Sequence, residues 1–481
     1  MSIDMGSRVL DVDLLARELG NWRTSSSTGA AYLGLADAVR LLIVDGRLPV
    51  GSRLPSERAL ADALRVSRTT VTAAFAALRE DGYLHARRGA RSTAALPPRP
   101  ALPTDPSTPT VSLAAAALSA PSAAVREAFS EAARDITPYL AEVGHELSGV
   151  CALREAVAES YTARGLSTDP TQIMITTGAQ HAIGLILAAF AQPGDRVLVE
   201  QPTYHGALAA IAAAGSRAVP VALNDGGWEL DAAHAAIRQL APVLAYFVPD
   251  SHNPTGFTMP EDERKRLGHI ISETRTRTIV DESIMDMWLD EEPPAPLAAA
   301  MTQRRELVLT IGSMSKSFWG GLRVGWIRAE PATLATIAAT RAAVDLGTPI
   351  LEQLAAARLL QVRDQILPER REILAARRQF LIDVLARELP DWRPGPGRGG
   401  MSLWVQLPSP MSTALSASAS RLGLDLPAGP RFGVDGTLER FIRVPYALPE
   451  AQLEAAVDLM ARAWRSITGV SVAPETHAVV V

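Results

Sequence analysis

The chain has 481 residues and a formal net charge of −5, and its 47% hydrophobic and 21% charged residues are typical of a globular protein with more than one domain. A single cysteine, Cys151, excludes internal disulfides and fits a reducing, cytoplasmic compartment. The apolar runs are too short for a transmembrane helix, and the first 18 residues lack the continuous apolar region of a secretory signal. We therefore expect no membrane partner.

Positive charge is concentrated near the N-terminus. Residues 31–95 contain ten arginines against six acidic residues, so the rest of the chain carries a net charge of −9. This asymmetry indicates a polyanionic partner for the N-terminal part of the chain. Lysine occurs only at positions 265 and 316, so nearly all the positive charge comes from arginine. A lysine inside a motif is therefore notable, because only lysine can form an imine.

Three short helices and a hairpin are predicted after an N-terminal segment, residues 1–30. Apolar residues at helical spacing predict the first helix over 34–45. Ser56 and Ser67 are typical N-caps for the second and third helices. The stretch YLHARRGARST then predicts a basic hairpin, which completes a winged helix-turn-helix. A small helical packing domain with solvated arginines would show the same periodicity.

A family resemblance distinguishes these two interpretations. Residues 46–89 resemble the winged-helix domain of GntR-type repressors, most specifically in LPSERALA and VSRTTV. The resemblance implies a DNA-binding domain over residues 31–95 whose partner is double-stranded operator DNA. The residues expected to face DNA lie on the second helix, on the exposed side of the third helix and at the hairpin tip: Arg58, Ser67, Arg68, Thr69, Thr70, Thr72, Arg87, Arg88 and Gly89.

A proline-rich linker is predicted over residues 96–111, because six prolines fall within 96–110. Strand-like apolar runs then alternate with helical segments over residues 112–470, and residues 471–481 are expected to be an unpacked tail. The alternation predicts an α/β domain with a large, mainly parallel sheet.

Polar residues follow several of these predicted strands, where ligands bind in open α/β sheets. Lys316 supplies an amine and Asp281 a carboxylate, as pyridoxal phosphate requires for its aldehyde and its ring nitrogen. Asn253 suits the ring hydroxyl, and Tyr204 offers a flat face for the ring. The candidate phosphate groups lie at a helix start and around the lysine: Gly178, Ala179, Gln180, Ser313, Ser315 and Arg323. We expect no metal ion.

The order and spacing of these motifs resemble the fold-type I aminotransferases, through TTGAQHAI, EQPTY, SHNPTG, VDES and SMSKSFWGGLRVGW. The resemblance implies a large mainly parallel sheet domain followed by a small α+β C-terminal subdomain. It implies that Lys316 forms the Schiff base with the cofactor. It also makes Arg443, in FIRVPYA, the candidate for binding a ligand carboxylate; a surface ion pair is the alternative for Arg443.

Two positions depart from the aminotransferase pattern. Family members usually have a tyrosine three residues after the aspartate, where this chain has Ile284, and a second tyrosine at the position of Gly144. The absence of both phenols puts efficient transamination and tight cofactor binding in doubt, because proton transfer needs positioned groups.

Together the two domains resemble the MocR-type transcriptional regulators. That resemblance implies a cytoplasmic homodimer that binds pyridoxal phosphate and operator DNA, and whose effector is the cofactor itself or a small amino compound. Two alternatives remain open: an aminotransferase with an accessory DNA-binding domain, and a regulator whose large domain is only a dimerisation scaffold.

Overall fold

The structure is a computed structural model that describes residues 10–19, 22, 31–44, 48, 52–85, 92–95, 111–224, 226–434 and 436–469. The chain divides into two compact units. Unit 1 comprises residues 1–110, 413–423 and 462–481, and unit 2 comprises residues 111–412 and 424–461. The predicted linker, up to residue 110, and the predicted tail lie outside the described residues.

Four helices and a short hairpin form the N-terminal part of unit 1. They are α1 (Val12–Leu19), α2 (Ala31–Val44), α3 (Glu57–Leu64), α4 (Arg68–Glu80), β1 (Leu84–His85) and β2 (Thr93–Ala94), and the two strands pair antiparallel. Ser56 and Ser67 cap α3 and α4 as predicted, because their hydroxyls accept hydrogen bonds from the amides of Ala59 and Thr70. The helices and hairpin match the predicted winged helix-turn-helix.

One hydrophobic cluster holds these elements together. Val71, Ala74, Phe75 and Leu78 line the buried face of α4, as the periodicity of the third helix predicts. Helix α1, which the sequence reasoning did not assign, contributes Leu15 and Leu19 to the same cluster. Part of the N-terminal segment therefore belongs to the core of the predicted winged helix-turn-helix domain.

After the linker, helices and strands alternate. The helices are α5 (Ser122–Asp135), α6 (Cys151–Ala163), α7 (Ala179–Phe190), α8 (His205–Ala213), α9 (Leu230–Leu240), α10 (Glu261–Thr274), α11 (Leu297–Ala300), α12 (Met314–Ser317), α13 (Pro331–Arg341), α14 (Ile350–Gln361), α15 (Arg363–Glu388), α16 (Ser412–Arg421) and α17 (Glu450–Thr468). The strands are β3 (Val111–Ser112), β4 (Ile173–Thr176), β5 (Arg196–Gln201), β6 (Arg217–Asn224), β7 (Gly227–Trp228), β8 (Leu244–Phe247), β9 (Arg277–Asp281), β10 (Val308–Ser313), β11 (Gly325–Arg328), β12 (Arg393–Pro394), β13 (Ser402–Gln406), β14 (Leu424–Asp425) and β15 (Phe441–Pro445).

The described part of unit 2 is built on an eight-stranded sheet in the order β4-β11-β10-β9-β8-β5-β6-β7. The pairs from β10 through β9, β8 and β5 to β6 are parallel, whereas β11 runs antiparallel to both neighbours. Strands β4, β5 and β8–β11 are rich in valine, isoleucine and leucine and largely buried, as a covered parallel sheet requires, whereas β6 is partly exposed. The mainly parallel sheet confirms the predicted fold class.

Two smaller sheets complete unit 2. Strands β12, β13 and β15 form an antiparallel sheet, which belongs to the predicted small α+β subdomain. Strand β3 pairs in parallel with β14. Val111 begins β3, so the last residue of the predicted linker is already part of a sheet.

None of the helices in the described part of the chain has the length and hydropathy to span a membrane.

A buried ion pair fixes the loop that follows β8. Arg264 on α10 and Asp250 are both fully buried, with 2.5 Å between a guanidinium nitrogen and a carboxylate oxygen. Arg264 also donates to the carbonyl oxygens of Met259 and Ala295. Asp250 lies three residues before Asn253, so this pair holds the loop that carries a candidate site residue.

Replacing Arg264 with Met should lower the free energy of unfolding of unit 2 by about 3–5 kcal/mol, because Asp250 would be left as an unpaired buried charge. Denaturant unfolding of the full chain measures the change. The neighbouring Lys265 provides the matched control: its exposed pair with Glu261 should contribute at most about 1 kcal/mol, so Lys265→Met should be nearly neutral. Equal losses in the two variants would contradict the assignment.

Candidate functional site

A cavity of about 330 Å³ lies at the carboxyl edge of the large sheet. It brings together nearly all the residues that the sequence marked as cofactor or ligand groups: Ala179, Gln180, Tyr204, Asn253, Asp281, Ser313, Ser315, Lys316, Arg323 and Arg443. Gly178 does not line the cavity itself, but it precedes Ala179 and lies against Arg323. The convergence follows from the fold, because parallel strands end at one edge of a sheet.

Lys316 lies on α12, directly after β10. Its Nζ atom donates a hydrogen bond to the carbonyl oxygen of Ala116 at 2.7 Å. Burial and the nearby charge of Arg443 lower the pKa of Lys316 to about 8, although the carboxylate of Asp281 opposes this shift. A substantial fraction of this amine is therefore neutral, and hence nucleophilic, near physiological pH.

Asp281 ends β9 and is almost fully buried. One carboxylate oxygen accepts the hydroxyl of Tyr246 at 2.7 Å, and the other accepts the amide of Ser283 at 2.9 Å. Burial raises the pKa of Asp281, while these hydrogen bonds oppose that rise. Within the described residues Asp281 has no ion-pair partner, so a cationic group of a ligand would find a buried, oriented carboxylate.

Among the buried polar atoms of the lining that lack a partner in the described residues, two lie beyond the carboxyl ends of β8 and β9. They are Oδ1 of Asn253 and Oγ of Ser283. Buried polar atoms without partners are uncommon, since each costs about 1–3 kcal/mol. The unpaired atoms indicate a ligand with polar groups on the side that faces the carboxyl ends of β8 and β9.

Another part of the cavity lining suits an anion. Helix α7 begins at Ala179, and Ala179 and Gln180 of its first turn line the cavity, where the positive end of the helix dipole favours an anion. Gly178 has φ +86°, and a Cβ there would lie 3.0 Å from a guanidinium nitrogen of Arg323. The guanidinium of Arg323 donates to the carbonyl oxygens of Thr177 and Gly320, and Ser313 hydrogen-bonds Ser315 at 3.0 Å. A phosphate group fits these donors.

Arg443 is on β15 and nearly completely buried. Its guanidinium lies 5.0 Å from the ring centroid of Phe432 and donates to the carbonyl oxygen of Ala114. Burial and the charge of Arg431 lower the pKa of Arg443 to about 10. The surface alternative for Arg443 is wrong, since the side chain is buried in the cavity wall. Its Nε is buried without a partner among the described residues.

Sequence reasoning missed several lining residues. Tyr246 lies on β8, and Val248 follows the last residue of that strand; the spacing of two places both in the cavity lining and could have marked Tyr246. His205 packs edge-on against Tyr204 and Phe432, and burial with nearby positive charges lowers its pKa to about 4. Nothing in the sequence marked residues 114–117, whose place in the wall depends on contacts with residues some two hundred positions away or more.

The two missing phenols have different structural settings. Ile284 lines the cavity, so an apolar side chain occupies the place where a tyrosine was expected. Gly144 has φ +76°, a left-handed conformation that a tyrosine would adopt only with strain. The change at position 144 therefore involves the backbone as well as the side chain.

The candidate DNA-facing residues that the structure describes lie at the start of α4 and on α3. Arg58, Ser67, Arg68, Thr69 and Thr72 are exposed, and Thr70 is half-buried. Arg87, Arg88 and Gly89 lie outside the described residues. The hydroxyls at the start of α4 already have protein partners: Ser67 pairs with those of Thr69 and Thr70, and Thr72 donates to Glu57 at 2.7 Å. Within the described residues, Arg58 and Arg68 have no such partner.

Comparison with known proteins explains this combination of domains. Residues 107–459 match the model for aminotransferase class I and II. The chain belongs to the class I and II aminotransferase family. Its residues 31–93 match the gntR family of bacterial regulatory proteins, so the predicted MocR-type combination of domains is confirmed.

Relatives of two kinds share this aminotransferase domain. The chain is 29% identical to the uncharacterised HTH-type transcriptional regulator YisV of Bacillus subtilis, over 76% of this chain and 81% of YisV. It is 28% identical to the uncharacterised HTH-type transcriptional regulator YdcR of Escherichia coli, over 86% of this chain and 94% of YdcR. It is also 32% identical to the 2-aminoadipate transaminase of Thermus thermophilus, over 69% of this chain and 84% of the transaminase.

The solved structure of LysN, an alpha-aminoadipate aminotransferase from Thermus thermophilus, has the same fold. It superimposes with a TM-score of 0.68 at 28% identity, covering 75% of this chain and 94% of LysN, and it contains N-(5′-phosphopyridoxyl)-L-leucine. The aminotransferase fold generally implies dependence on pyridoxal phosphate and a dimeric assembly, and the GntR domain implies DNA binding. The amine, buried carboxylate, unpaired amide oxygen and anion-binding helix start described above fit that cofactor.

The hydroxyl of Tyr246 stabilises the ionised form of Asp281, so Tyr246→Phe should raise the pKa of Asp281 further and weaken binding of pyridoxal phosphate. A hydrogen bond to a charged group contributes about 1.5–3 kcal/mol, which corresponds to a Kd about 10- to 100-fold higher. An absorbance titration with the cofactor measures the change. Tyr446→Phe is the matched control, because Tyr446 is equally buried and its hydroxyl bonds the carbonyl oxygen of Gly399 outside the cavity. An unchanged Kd for the cofactor in Tyr246→Phe would show that the Tyr246 hydroxyl does not support cofactor binding through Asp281.

Proposed function

We propose that this chain is a bacterial transcription regulator whose aminotransferase domain binds pyridoxal phosphate at Lys316 and senses the cofactor or a small amino compound. The proposal rests on one combination: a GntR domain occurs in the same chain as a cavity that contains the Lys316 amine and the Asp281 carboxylate, which has no ion-pair partner among the described residues. A DNA-binding regulator of this kind acts in the cytoplasm, in agreement with the single free cysteine.

When bound, pyridoxal phosphate supplies an aldehyde that reacts with primary amines and a ring that withdraws electrons. In the proposed arrangement Lys316 would offer the amine, and Asp281 would hold the ring nitrogen protonated. Tyr204 would stack on the ring and Asn253 would hydrogen-bond the ring hydroxyl, while the phosphate would be bound by Gly178, Ala179, Gln180, Ser313, Ser315 and Arg323. Burial of Asp281 strengthens its attraction for a cation, because the surroundings have a low dielectric constant.

Arg443 indicates the chemical class of the amino compound that would bind beside the cofactor. Its buried guanidinium suits a carboxylate, so an amino compound with a carboxylate would engage Arg443 while its amine competes with Lys316 for the aldehyde. Such a ligand shifts the protein between two states only by its different affinity for each of them. A dimer would convert that shift into a changed spacing of two recognition helices, and hence of the DNA half-sites.

The same cavity supports a second function, an aminotransferase with an accessory DNA-binding domain. A pKa of about 8 for Lys316 and the 32% identity to a transaminase favour it. Ile284 and Gly144 argue for the regulator, because two phenols that orient cofactor and protons are absent. Steady turnover of an amino acid with an oxo-acid would favour the enzyme, whereas a single half-reaction without turnover supports the regulator.

Attachment of the cofactor to Lys316 should depend on pH. Only the neutral amine reacts, so the rate constant should rise about tenfold per pH unit below pH 8 and level off above it. Stopped-flow absorbance after mixing with pyridoxal phosphate gives this profile. For Lys316→Ala we expect no attachment at any pH. Lys265→Ala, which removes the exposed lysine, should behave like wild type, and equal attachment by all three proteins would refute the assignment.

The DNA-binding assignment is tested at Arg68. Arg68→Ala should weaken operator binding by about 1–3 kcal/mol, or roughly 5- to 100-fold, because the variant loses a positively charged contact at the start of α4. The matched control is Arg266→Ala, an exposed arginine on α10 that pairs with Asp231. Affinity measured as a function of salt should fall steeply for the wild type, with a smaller slope for Arg68→Ala. Equal affinities for the three proteins would place the DNA contact elsewhere.

A further inference from the structure

One wall of the cavity is the first described stretch of chain after the linker. We call residues 111–117 the entry segment, because it joins the predicted linker to unit 2. Strand β3 holds its start: the amide of Leu113 donates to the carbonyl oxygen of Asp425 at 2.8 Å, and the hydroxyl of Ser112 donates to the carboxylate of Asp425 at 3.1 Å. Ala114–Ala117 then line the cavity directly.

The entry segment accepts hydrogen bonds from both cations that the ligands would need. The carbonyl oxygen of Ala116 accepts from Nζ of Lys316 at 2.7 Å. The carbonyl oxygens of Ala114 and Leu113 accept from one guanidinium nitrogen of Arg443, at 2.5 and 3.5 Å. Two groups on different elements, α12 and β15, are therefore bonded to one short piece of backbone.

A ligand must compete with these carbonyl oxygens. A carboxylate is a stronger acceptor than a peptide carbonyl, so a carboxylate that engages the guanidinium nitrogen bonded to Ala114 competes with that carbonyl oxygen. At Lys316 the competition is covalent. The neutral amine would form a C=N bond with the cofactor's aldehyde carbon, and the aldehyde oxygen would leave as water with two hydrogens from nitrogen. The nitrogen then retains at most one proton, so its capacity to donate to Ala116 is reduced or lost.

We propose that the entry segment is a latch that the occupied cavity opens. The bonds from Lys316 and Arg443 hold residues 113–116 in place as one wall of the cavity. Pyridoxal phosphate withdraws the Lys316 donor and a ligand carboxylate withdraws the Arg443 donor, and loss of either bond loosens the segment between β3 and Ala117. Because residue 110 of the linker is joined directly to β3, the loosening reaches the linker and changes how the DNA-binding domains are held. This inference rests on the proposed function, since it names the path by which occupancy of that site regulates DNA binding.

Hydrogen exchange measures the latch without reference to activity. In wild type, loading with pyridoxal phosphate should increase exchange at the amide of Leu113, which reports on the β3–β14 pair, by about tenfold or more. The amide of Val199, in the centre of β5, is an internal control whose exchange should not change. Lys316→Met removes one donor permanently, so it should show raised exchange at Leu113 even without cofactor.

A reversible crosslink tests whether the movement passes through β3. Ser112→Cys with Asp425→Cys, in a Cys151→Ser background, places two thiols at positions that pair directly in the β3–β14 ladder. The oxidised and reduced forms of this one protein differ only in the crosslink. Both should take up pyridoxal phosphate, seen by its absorbance, but only the reduced form should change its operator affinity on loading.

The outcomes separate the latch from the function on which it rests. If the oxidised form changes its operator affinity as much as the reduced form, the signal does not pass through β3 and the latch is overturned. Unchanged exchange at Leu113 in fully loaded wild type overturns it independently of the crosslink. If wild type takes up no cofactor at all, the proposed function itself is wrong, and the latch falls with it.

Discussion

The structure depends on one buried carboxylate. Asp281 lies at the carboxyl edge of the central sheet, nearly inaccessible to water, with two hydrogen-bond donors and no cationic partner within the described residues. Burying such a group is unfavourable unless a positive charge compensates for the lost hydration. The Lys316 amine in the same cavity supplies only part of that compensation, because burial favours its neutral form. A ligand with a protonated ring nitrogen would complete the pair, and this requirement connects the fold to pyridoxal phosphate.

The same requirement explains how the cavity could bind a cofactor without the two expected phenols. The charged anchors and the helix start of α7 bind a cofactor by electrostatic attraction and backbone hydrogen bonds. The missing tyrosines at positions 284 and 144 affect orientation and proton transfer instead. A regulator needs a cavity whose occupancy changes a conformation, whereas an enzyme must also release product repeatedly. The charged anchors and the start of α7 meet the requirement of a regulator, which is a cavity that can be occupied.

Much of the fold and of the cavity lining could be predicted from the sequence, because local rules determine them. Serine N-caps and apolar spacing gave the helices of the DNA-binding unit, and the alternation of apolar runs with helices gave the sheet. The convergence of most candidate site residues in one cavity was predictable because they lie at or after the ends of strands, and strand ends converge. Tyr246 was missed because its contact with Asp281 joins neighbouring strands 35 positions apart. The entry segment was missed for a similar reason: its backbone carbonyls meet Lys316 and Arg443, and an alanine run carries no signal of that contact.

The central claim is that occupancy of the Lys316 cavity controls DNA binding. The direct test is to titrate one sample with pyridoxal phosphate while recording cofactor absorbance and operator affinity together. For wild type, we expect operator affinity to change about fivefold or more, typical of an allosteric coupling, and to reach its limit where the absorbance saturates. For Lys316→Ala we expect a constant operator affinity across the titration. A wild type that loads fully with no change in operator affinity, or a Lys316→Ala variant that responds as wild type does, would contradict control of DNA binding by this cavity.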